Sequence, residues 1–327
     1  MRIGVIGAGA IGGAIAALAV KAGHEVEVTA RGAHLEAIRS GGIRLTGAWG
    51  DVTAAVEAGE ALTRAPELAI VATKALDART AILGNVRLLN GVPVLVVQNG
   101  LGAISTTAPL LPRSDILGGL ALYATSLVES GHITITAPGL TYIGGGADLP
   151  SRYVLAAMES IMPTRLVGNF AGAQWTKLVI NQVNALPAIT GLSAQDVVAD
   201  AGLRRILTIS IRETVRIGLC AGIHFETLQG LSNTRLRLVA AAPVAVAETL
   251  PRLMARRMGS VPNPGSTLQS IRRGAKTEID YLNGAVVDAA VGAGTTAPVN
   301  AALVALVHEV ERTGEFLAPA DVVSRIG

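Results

Sequence analysis

Six residues near the start of the chain have the spacing of a phosphate-binding loop. They fit the pattern G-x-G-x-x-G, follow a short apolar run and precede an alanine-rich stretch, as in a strand–turn–helix unit. In such a unit the first glycine permits the tight turn, the second admits a pyrophosphate, and the third allows close helix–strand packing. The helix N-terminus adds unpaired N–H donors, so the segment predicts dinucleotide binding. The residues are Gly7, Ala8, Gly9, Ala10, Ile11 and Gly12.

The second predicted strand ends at an arginine, where NAD sites usually carry an acidic residue. Arg31 follows the alternating run Glu25–Ala30, and Glu27 lies within the strand, too early for the ribose position. A guanidinium pairs with a phosphate through two N–H donors, which favours NADP(H) as the cofactor. An ordinary solvated loop arginine is the alternative.

Two polar residues follow later apolar runs of the first half. Lys74 comes two residues after Leu68–Ala72, and Asn99 directly follows Val92–Gln98. Ligands of open α/β sheets bind outside the carboxyl ends of the strands, so both residues are candidates for the cofactor crevice. Lys74 would donate to a phosphate or ribose, and Asn99 to the nicotinamide ribose or carboxamide. A solvated lysine and a plain Asn-Gly turn are the alternatives.

Three polar residues share one stripe of a mostly apolar helical stretch in the second half. Relative to Lys177, Asn181 lies about 40° round an ideal helix, and Asn184 lies about 20° the other way. Buried polar groups need partners, which a substrate would supply; a narrow solvent-facing stripe is the alternative. Desolvation lowers the pKa of a lysine, which suits proton donation to a ketone oxygen during hydride reduction.

The secondary structure predicted around these residues differs between the two halves of the chain. In the first half, short apolar runs alternate with helical stretches, which predicts a parallel sheet covered on both faces. The runs His132–Ala137 and Leu140–Gly144 flank Pro138-Gly139 and predict an antiparallel hairpin that finishes the sheet. Beyond about Asn169 the pattern predicts helices over Ala171–Thr190, Gly202–Ala221, Leu231–Met258, Thr277–Val291 and Asn300–Arg312. We therefore expect an α/β Rossmann-type dinucleotide-binding domain over residues 1–168 and an all-α substrate and catalytic domain over residues 169–327.

Composition excludes several other classes of protein. Half of the 327 residues are apolar and only 16% are charged, so a disordered chain is excluded. Apolar runs are too short for a spanning helix, and the net charge of +3 is spread along the chain, so we expect neither membrane nor nucleic-acid binding. One cysteine, Cys220, and scattered histidines predict no disulfide framework and no metal site. We expect a soluble, cytoplasmic protein, with a homodimer left open.

Taken together, these motifs resemble the ketopantoate reductases (2-dehydropantoate 2-reductases) over nearly the whole chain. The most specific element is the segment T-E-I-D-Y-x-N-G at 277–284, with Ser266 twelve residues before Glu278. The other elements are the glycine loop, Arg31, Lys74, Asn99 and the helix with Lys177, Asn181 and Asn184.

The resemblance implies reduction of 2-dehydropantoate to pantoate with NADPH, in pantothenate and coenzyme A synthesis. It implies that Lys177 is the proton donor and that Glu278 contacts the cofactor or a substrate hydroxyl, while Lys74 and Asn99 line the cofactor crevice. It also implies substrate contacts from Asn181, Asn263 and Ser266. Asn99, Lys177 and Asn184 are further candidates for substrate binding.

Two departures from the family pattern fall in the substrate half of the site. Asn184 lies seven residues after Lys177, whereas the family's second asparagine lies eight after its lysine. A further polar position, about ten residues on, is Ala194. The alternatives are therefore reduction of another branched or hydroxylated 2-keto acid, and a non-catalytic NADPH-sensing protein on the same scaffold.

Overall fold

The computed structural model of the chain describes residues 1–326. Two compact units are distinguished by their internal contacts, Met1–Phe170 and the residues from Ala171 onward. The strands, all in the first unit, are β1 (Arg2–Ile6), β2 (Glu25–Thr29), β3 (Ile43–Gly47), β4 (Val52–Ala54), β5 (Glu57–Gly59), β6 (Leu68–Val71), β7 (Val94–Val97), β8 (Ile116–Ala121), β9 (Ala124–Glu129), β10 (His132–Ala137), β11 (Thr141–Gly144) and β12 (Thr164–Leu166). The helices of the first unit are α1 (Ala10–Lys21), α2 (Gly32–Gly41), α3 (Ala75–Leu89), α4 (Ala103–Thr107) and α5 (Asp148–Ile161).

An eight-stranded sheet forms the centre of the first unit. Its order is β12-β11-β8-β7-β6-β1-β2-β5, and the pairs from β5 to β8 are all parallel. Every residue of β6 and β7 is buried, as expected for strands covered on both faces. The carboxyl ends of β1, β6 and β7 therefore lie side by side at one edge of the sheet.

A smaller sheet, ordered β4-β3-β10-β9, packs on the far side of α1. Helix α1 contacts β1 and β2 of the large sheet and β3, β4, β9 and β10 of the small one. Residues Gly12–Ala19 are all buried as a result. Two covered faces explain why this helix is alanine-rich and apolar on all sides.

The predicted hairpin between His132–Ala137 and Leu140–Gly144 is wrong. Strand β10 pairs with β9 and β3 in the small sheet, whereas β11 pairs with β8 and β12 in the large one. The connection through Gly139 passes so close to the Leu122 carbonyl oxygen that a Cβ atom would collide with it. The chain therefore crosses between sheets here, and the true hairpin is β9–β10, which turns at Gly131 with a φ of +80°.

The second unit is helical. Its helices are α6 (Phe170–Asn181), α7 (Ala185–Thr190), α8 (Ala194–Ala199), α9 (Ala201–Cys220), α10 (Asn233–Ala241), α11 (Val244–Ala247), α12 (Thr249–Arg257), α13 (Gly265–Arg272), α14 (Asn283–Gly292), α15 (Pro298–Thr313) and α16 (Pro319–Ile326). An α/β sheet unit followed by an all-helical one confirms the predicted fold class. None of the helices in residues 1–326 combines the length and hydropathy needed to cross a bilayer.

Three predicted helices differ from those in the structure: two are interrupted and one begins later. A 3-10 turn over Gln182–Asn184 separates α6 from α7, because the Pro187 ring would clash with the carbonyl of the residue four before it. Pro243 ends α10 in the same way. The helix predicted from Thr277 begins only at Asn283, after a 3-10 turn over Ile279–Tyr281.

Candidate active site

The glycine loop is held against the end of β2. The Gly7 N–H donates to Thr29 Oγ1 at 2.9 Å, and the Ala8 N–H donates to the Thr29 carbonyl at 2.8 Å. Gly7 has a φ of +94°, and a Cβ atom on Gly12 would collide with the Gly7 carbonyl oxygen. A Cβ atom on Gly9 would meet nothing within 4 Å. The loop thus has its tight turn, its close helix contact and an open approach to the backbone.

A histidine that the sequence analysis left unassigned supports the same loop. His34, in the first turn of α2, contacts the Ala8 carbonyl through Nε2 at 2.7 Å. Because a carbonyl only accepts, Nε2 carries the proton, and Nδ1 accepts the Gly131 N–H at 3.0 Å. His34 therefore ties the glycine loop to the β9–β10 turn.

Lys74 and Asn99 follow the neighbouring strands β6 and β7 and are both half-buried. Lys74 is the N-cap residue of α3. Between the two strand ends, the buried Gln98 side chain donates from Nε2 to the Thr73 carbonyl at 3.0 Å. The Thr73 hydroxyl is buried with no hydrogen-bond partner among residues 1–326. Polar groups thus line the sheet edge at which the glycine loop also lies.

Arg31 and Glu27 occupy different surroundings at β2. Arg31 is exposed and is the N-cap residue of α2. Glu27 is only 4% exposed, and its carboxylate accepts the Thr63 N–H at 2.6 Å. Glu27 is therefore committed to holding a loop, and Arg31 is the charged group available beyond the strand end.

Lys177 lies on α6 with only 7% of its surface exposed. Burial lowers the pKa of Lys177 from 10.5 to about 8, because desolvation penalises the ammonium, and the nearby charge of Glu278 opposes that shift. Glu278 precedes the 3-10 turn at Ile279–Tyr281. The fold thus brings together a lysine and a glutamate 101 positions apart in the sequence.

Asn181 ends α6, one turn after Lys177. Its side-chain Nδ2 atom is buried and has no hydrogen-bond partner among the residues that the structure describes. An unpaired buried amide is costly, and a ligand oxygen would satisfy it. Asn181 is therefore a donor poised for a ligand beside the buried lysine.

Asn184, Asn263 and Ser266 meet at the start of α13. Asn184 is buried, and its Oδ1 atom accepts the Ser266 N–H at 3.3 Å. Asn263 Oδ1 accepts the Gly265 N–H at 2.9 Å and so caps the same helix. Gly265 has a φ of +70°, and a Cβ atom there would lie 2.5 Å from Asn184 Oδ1. The side-chain oxygens of both asparagines are thus used to hold the α13 N-terminus.

Gln195 holds the loop that carries Asn263, and the sequence analysis missed it. Its Nε2 atom donates to the carbonyls of Gly259 at 3.2 Å and Val261 at 2.8 Å, and its Oε1 atom accepts the Asn263 N–H at 3.0 Å. Counting from Asn184 pointed to Ala194, which is buried and apolar; the polar side chain is one residue further on. In the family pattern the second asparagine lies eight residues after the lysine and the further polar residue about ten residues later, so counting from Lys177 leads to Gln195.

The predicted site residues thus fall into two groups, each within one unit. The first unit holds Gly7–Gly12, Arg31, Lys74 and Asn99; the second holds Lys177, Asn181, Asn184, Asn263, Ser266 and Glu278. Within residues 1–326, no group of His, Cys, Asp and Glu side chains is arranged to hold a metal ion.

Family models match both units of the chain. The model described as ketopantoate reductase PanE/ApbA matches residues 3–148, and ketopantoate reductase PanE/ApbA C terminal matches residues 169–311. The chain belongs to the ketopantoate reductase family. It is therefore an oxidoreductase that acts on a CH–OH group, in a family of dinucleotide-dependent reductases whose substrates are small keto acids.

Individual relatives of the family cover nearly the whole chain. The 2-dehydropantoate 2-reductase of Pyrococcus horikoshii is 28% identical over 96% of this chain and 99% of its own length. A crystal structure of a PanE/ApbA family ketopantoate reductase from Ralstonia eutropha JMP134 is 28% identical, with a TM-score of 0.81 over 95% of this chain and 99% of that one. D-mandelate dehydrogenase with NADH and anilino(oxo)acetate shares the fold, with a TM-score of 0.80 at 20% identity over 96% and 99% of the two chains.

Proposed function

We propose that the protein reduces 2-dehydropantoate to pantoate with NADPH, as a cytoplasmic step in pantothenate and coenzyme A synthesis. The observation that carries the proposal is the buried Lys177, with its pKa lowered to about 8 beside Glu278. We assign residues 1–168 to cofactor binding and 169–327 to substrate binding and catalysis. The 2-dehydropantoate 2-reductases among the relatives support the reaction.

The first unit has the features that a dinucleotide requires. The pyrophosphate would lie on the loop Gly7–Gly12, which is open at Gly9, and Arg31 would pair with the 2′-phosphate of NADPH. Lys74 and Asn99 would contact the ribose and nicotinamide from the strand ends. Bound NADPH supplies the hydride for the keto carbon.

Lys177 supplies the proton and stabilises the charge on the ketone oxygen. With a pKa of about 8, the side chain is mostly an ammonium at neutral pH, yet it gives up its proton far more readily than an ordinary lysine. Glu278 keeps the ammonium populated and can accept a hydrogen bond from the substrate hydroxyl. A non-catalytic NADPH sensor would have no use for such a costly buried lysine.

Asn181 and the α13 N-terminus hold the substrate. The unpaired Nδ2 atom of Asn181 donates to a substrate oxygen, and the Ser266 hydroxyl and the Asn263 side-chain N–H groups would donate to the substrate carboxylate beside the start of α13. Asn184 Oδ1 is already occupied by the Ser266 N–H, and Ala194 offers no polar group. These two features favour a second candidate, a small 2-keto acid with fewer hydroxyls than ketopantoate.

The test is oxidation of NADPH by the purified protein over a panel of 2-keto acids that includes ketopantoate. We expect the highest kcat/KM for ketopantoate. A higher value for a keto acid without a hydroxyl would establish the second candidate instead. Binding of NADPH without turnover of any keto acid would overturn the proposed activity.

A further inference from the structure

A cluster of three side-chain amides and one hydroxyl is buried in the helical unit, next in the chain to Asn181 of the proposed substrate site. We call Gln182, Ser210, Asn283 and Asn300 the amide cluster; all four are completely buried. They come from the 3-10 turn after α6 and from α9, α14 and α15. None of them was identified in the sequence as a site residue, although Asn283 belongs to the T-E-I-D-Y-x-N-G segment.

Asn283 is the main donor of the cluster. Its Nδ2 atom donates to Gln182 Oε1 at 2.8 Å and to Asn300 Oδ1 at 3.0 Å. The Ser210 hydroxyl lies 2.7 Å from the same Gln182 oxygen and 3.1 Å from the same Asn300 oxygen. The two acceptor oxygens are thus shared by one amide and one hydroxyl.

Counting protons separates the roles of the two donors. The Asn283 amide has two N–H groups, one for each acceptor, whereas the Ser210 hydroxyl has a single proton and can serve only one at a time. Without Ser210, both acceptors keep a donor. Without Asn283, one buried carbonyl oxygen is always left unpaired, which forces the cluster to rearrange.

The far side of the cluster is anchored to a helix start. Asn300 Nδ2 donates to Glu213 Oε2 at 2.7 Å, and the same carboxylate accepts the N–H groups of Val299 and Asn300, both at 3.0 Å. Glu213 thereby holds the first turn of α15. Asn300 is therefore held in place by Glu213. If Asn283 is replaced, the rearrangement of the cluster should thus occur mainly at Gln182.

On the near side, the cluster fixes the 3-10 turn that presents the substrate residues. Gln182 Nε2 donates to the Leu178 carbonyl at 3.1 Å, which leaves Oε1 for the cluster. Gln182 directly follows Asn181, and Asn184 at the end of the turn holds the Ser266 N–H. In a 3-10 turn, side chains three residues apart are eclipsed, so its geometry sets both Asn181 and Asn184.

We propose that Asn283 is a positioning residue for the keto acid site: its amide holds Gln182, and thereby fixes the turn that presents Asn181 and the Asn184–Ser266 pair. This inference rests on the proposed function of that site. The Asn283 Oδ1 atom is buried without a partner among residues 1–326, so an asparagine at this position carries the cost of an unsatisfied acceptor. An apolar side chain would serve packing without that penalty, which favours a role in orientation.

The test compares Asn283→Ala with Ser210→Ala in the full-length protein. For Asn283→Ala we expect KM for the keto acid to rise about 10-fold or more, with kcat changed less than about 3-fold. Amide hydrogen exchange over residues 182–184 should quicken, while the NADPH dissociation constant stays unchanged. Ser210→Ala, which removes a group from the same cluster, should stay within about 3-fold of the unmodified protein in KM.

A third variant keeps the experiment decisive if Asn283→Ala does not fold. Asn283→Ser retains one donor, so we expect an intermediate KM and intermediate exchange. Equal KM values for the unmodified protein and the Asn283 variants, or a Ser210→Ala effect as large as theirs, would overturn the positioning role. Failure of the unmodified protein to reduce any keto acid would overturn the proposed function instead. Hydrogen exchange would then still test the structural part of the proposal: equal exchange over residues 182–184 in the unmodified protein and in the Asn283 variants would show that Asn283 does not hold the turn.

Discussion

Glu278 and burial act on the Lys177 ammonium in opposite directions. Burial on α6 lowers the pKa of Lys177, the negative charge of Glu278 raises it, and burial wins, leaving the pKa at about 8. A buried lysine with no carboxylate nearby would be neutral and unable to donate a proton, whereas the pKa of an exposed lysine would be too high for efficient proton donation. The pair therefore gives Lys177 the acid strength that the proposed reduction of a ketone at neutral pH would need.

The first prediction is a loss of activity at alkaline pH. In the proposed mechanism Lys177 must be protonated to act, so kcat/KM for the keto acid should fall as the pH rises through about 8. Lys177→Ala should lower kcat and kcat/KM by about 10²- to 10⁴-fold and abolish that alkaline limb. Steady-state kinetics across the pH range measure both effects.

The control for this prediction is Asn181→Ala on the same helix. An amide that only holds the substrate acts in the ground and transition states alike, so its loss should raise KM and leave the alkaline limb in place. Near-normal kcat in Lys177→Ala at neutral pH would show that the proton comes from another group.

The second prediction concerns the direction in which Glu278 acts. Glu278→Gln removes the negative charge that raises the pKa of Lys177, so the alkaline limb should move to lower pH. At neutral pH the fraction of protonated lysine falls, and kcat/KM falls with it. An alkaline limb that stays in place or moves to higher pH would contradict the coupling.

The third prediction is that the buried lysine costs stability. Its pKa is about 8 in the folded protein and 10.5 in the unfolded chain, so between these values the unfolded chain binds more protons and stability rises with pH. At pH 7 the lysine is protonated in both states, so the folded protein carries the full free-energy cost of burying the ammonium. Lys177→Met should therefore raise the free energy of unfolding at pH 7 by roughly 3 kcal/mol, the equivalent of a shift from 10.5 to about 8.

Urea unfolding of the two proteins at pH 7 and at about pH 10 checks this third prediction. The stability advantage of Lys177→Met should shrink at the higher pH, because the folded-state lysine is then neutral. Other groups that titrate in alkali affect both proteins equally, so the difference between them isolates Lys177. Equal stabilities at pH 7 would mean that the ammonium is solvated.

Local signals predicted the glycine loop and the strand ends of the first unit well. The glycine loop is recognisable because the steric requirements that its three glycines fulfil all arise within a single strand–turn–helix unit. Lys74 and Asn99 could be placed at strand ends because the buried strands of a parallel sheet are continuous apolar runs. Which strands pair with each other was harder to predict. The sequence at Pro138-Gly139 is typical of a turn, and nothing in it indicates that β10 and β11 belong to different sheets.

The substrate half depends on contacts between distant segments, which sequence spacing does not show. Ideal helical angles placed Asn184 on the Lys177 stripe, but Pro187 converts the intervening residues to a 3-10 turn. Asn283 and Gln182 bond across 101 positions, so neither residue signals the other. Gln195 was missed for a simpler reason, since its position was counted from the displaced Asn184 rather than from Lys177.

The last prediction concerns cofactor choice at Arg31. This exposed residue is the N-cap residue of α2 beyond the end of β2, where a 2′-phosphate would lie, and the buried carboxylate of β2, Glu27, accepts the Thr63 N–H. A bidentate guanidinium–phosphate contact contributes about 1.5–3 kcal/mol. Arg31→Ala should therefore raise the NADPH dissociation constant by about 10- to 150-fold and leave that of NADH nearly unchanged.

Two variants on the same helix separate this contact from other effects of charge and structure. Arg39→Ala removes an equal charge from the last turn of α2 and should alter neither dissociation constant. His34→Ala removes the bond to the Ala8 carbonyl within the phosphate loop and should weaken NADPH and NADH by the same factor. Fluorescence titration of both cofactors gives all the constants. If the unmodified protein bound NADPH and NADH equally, or if Arg31→Ala weakened both alike, Arg31 would not be a 2′-phosphate ligand, and NADPH would lose its main support as the cofactor.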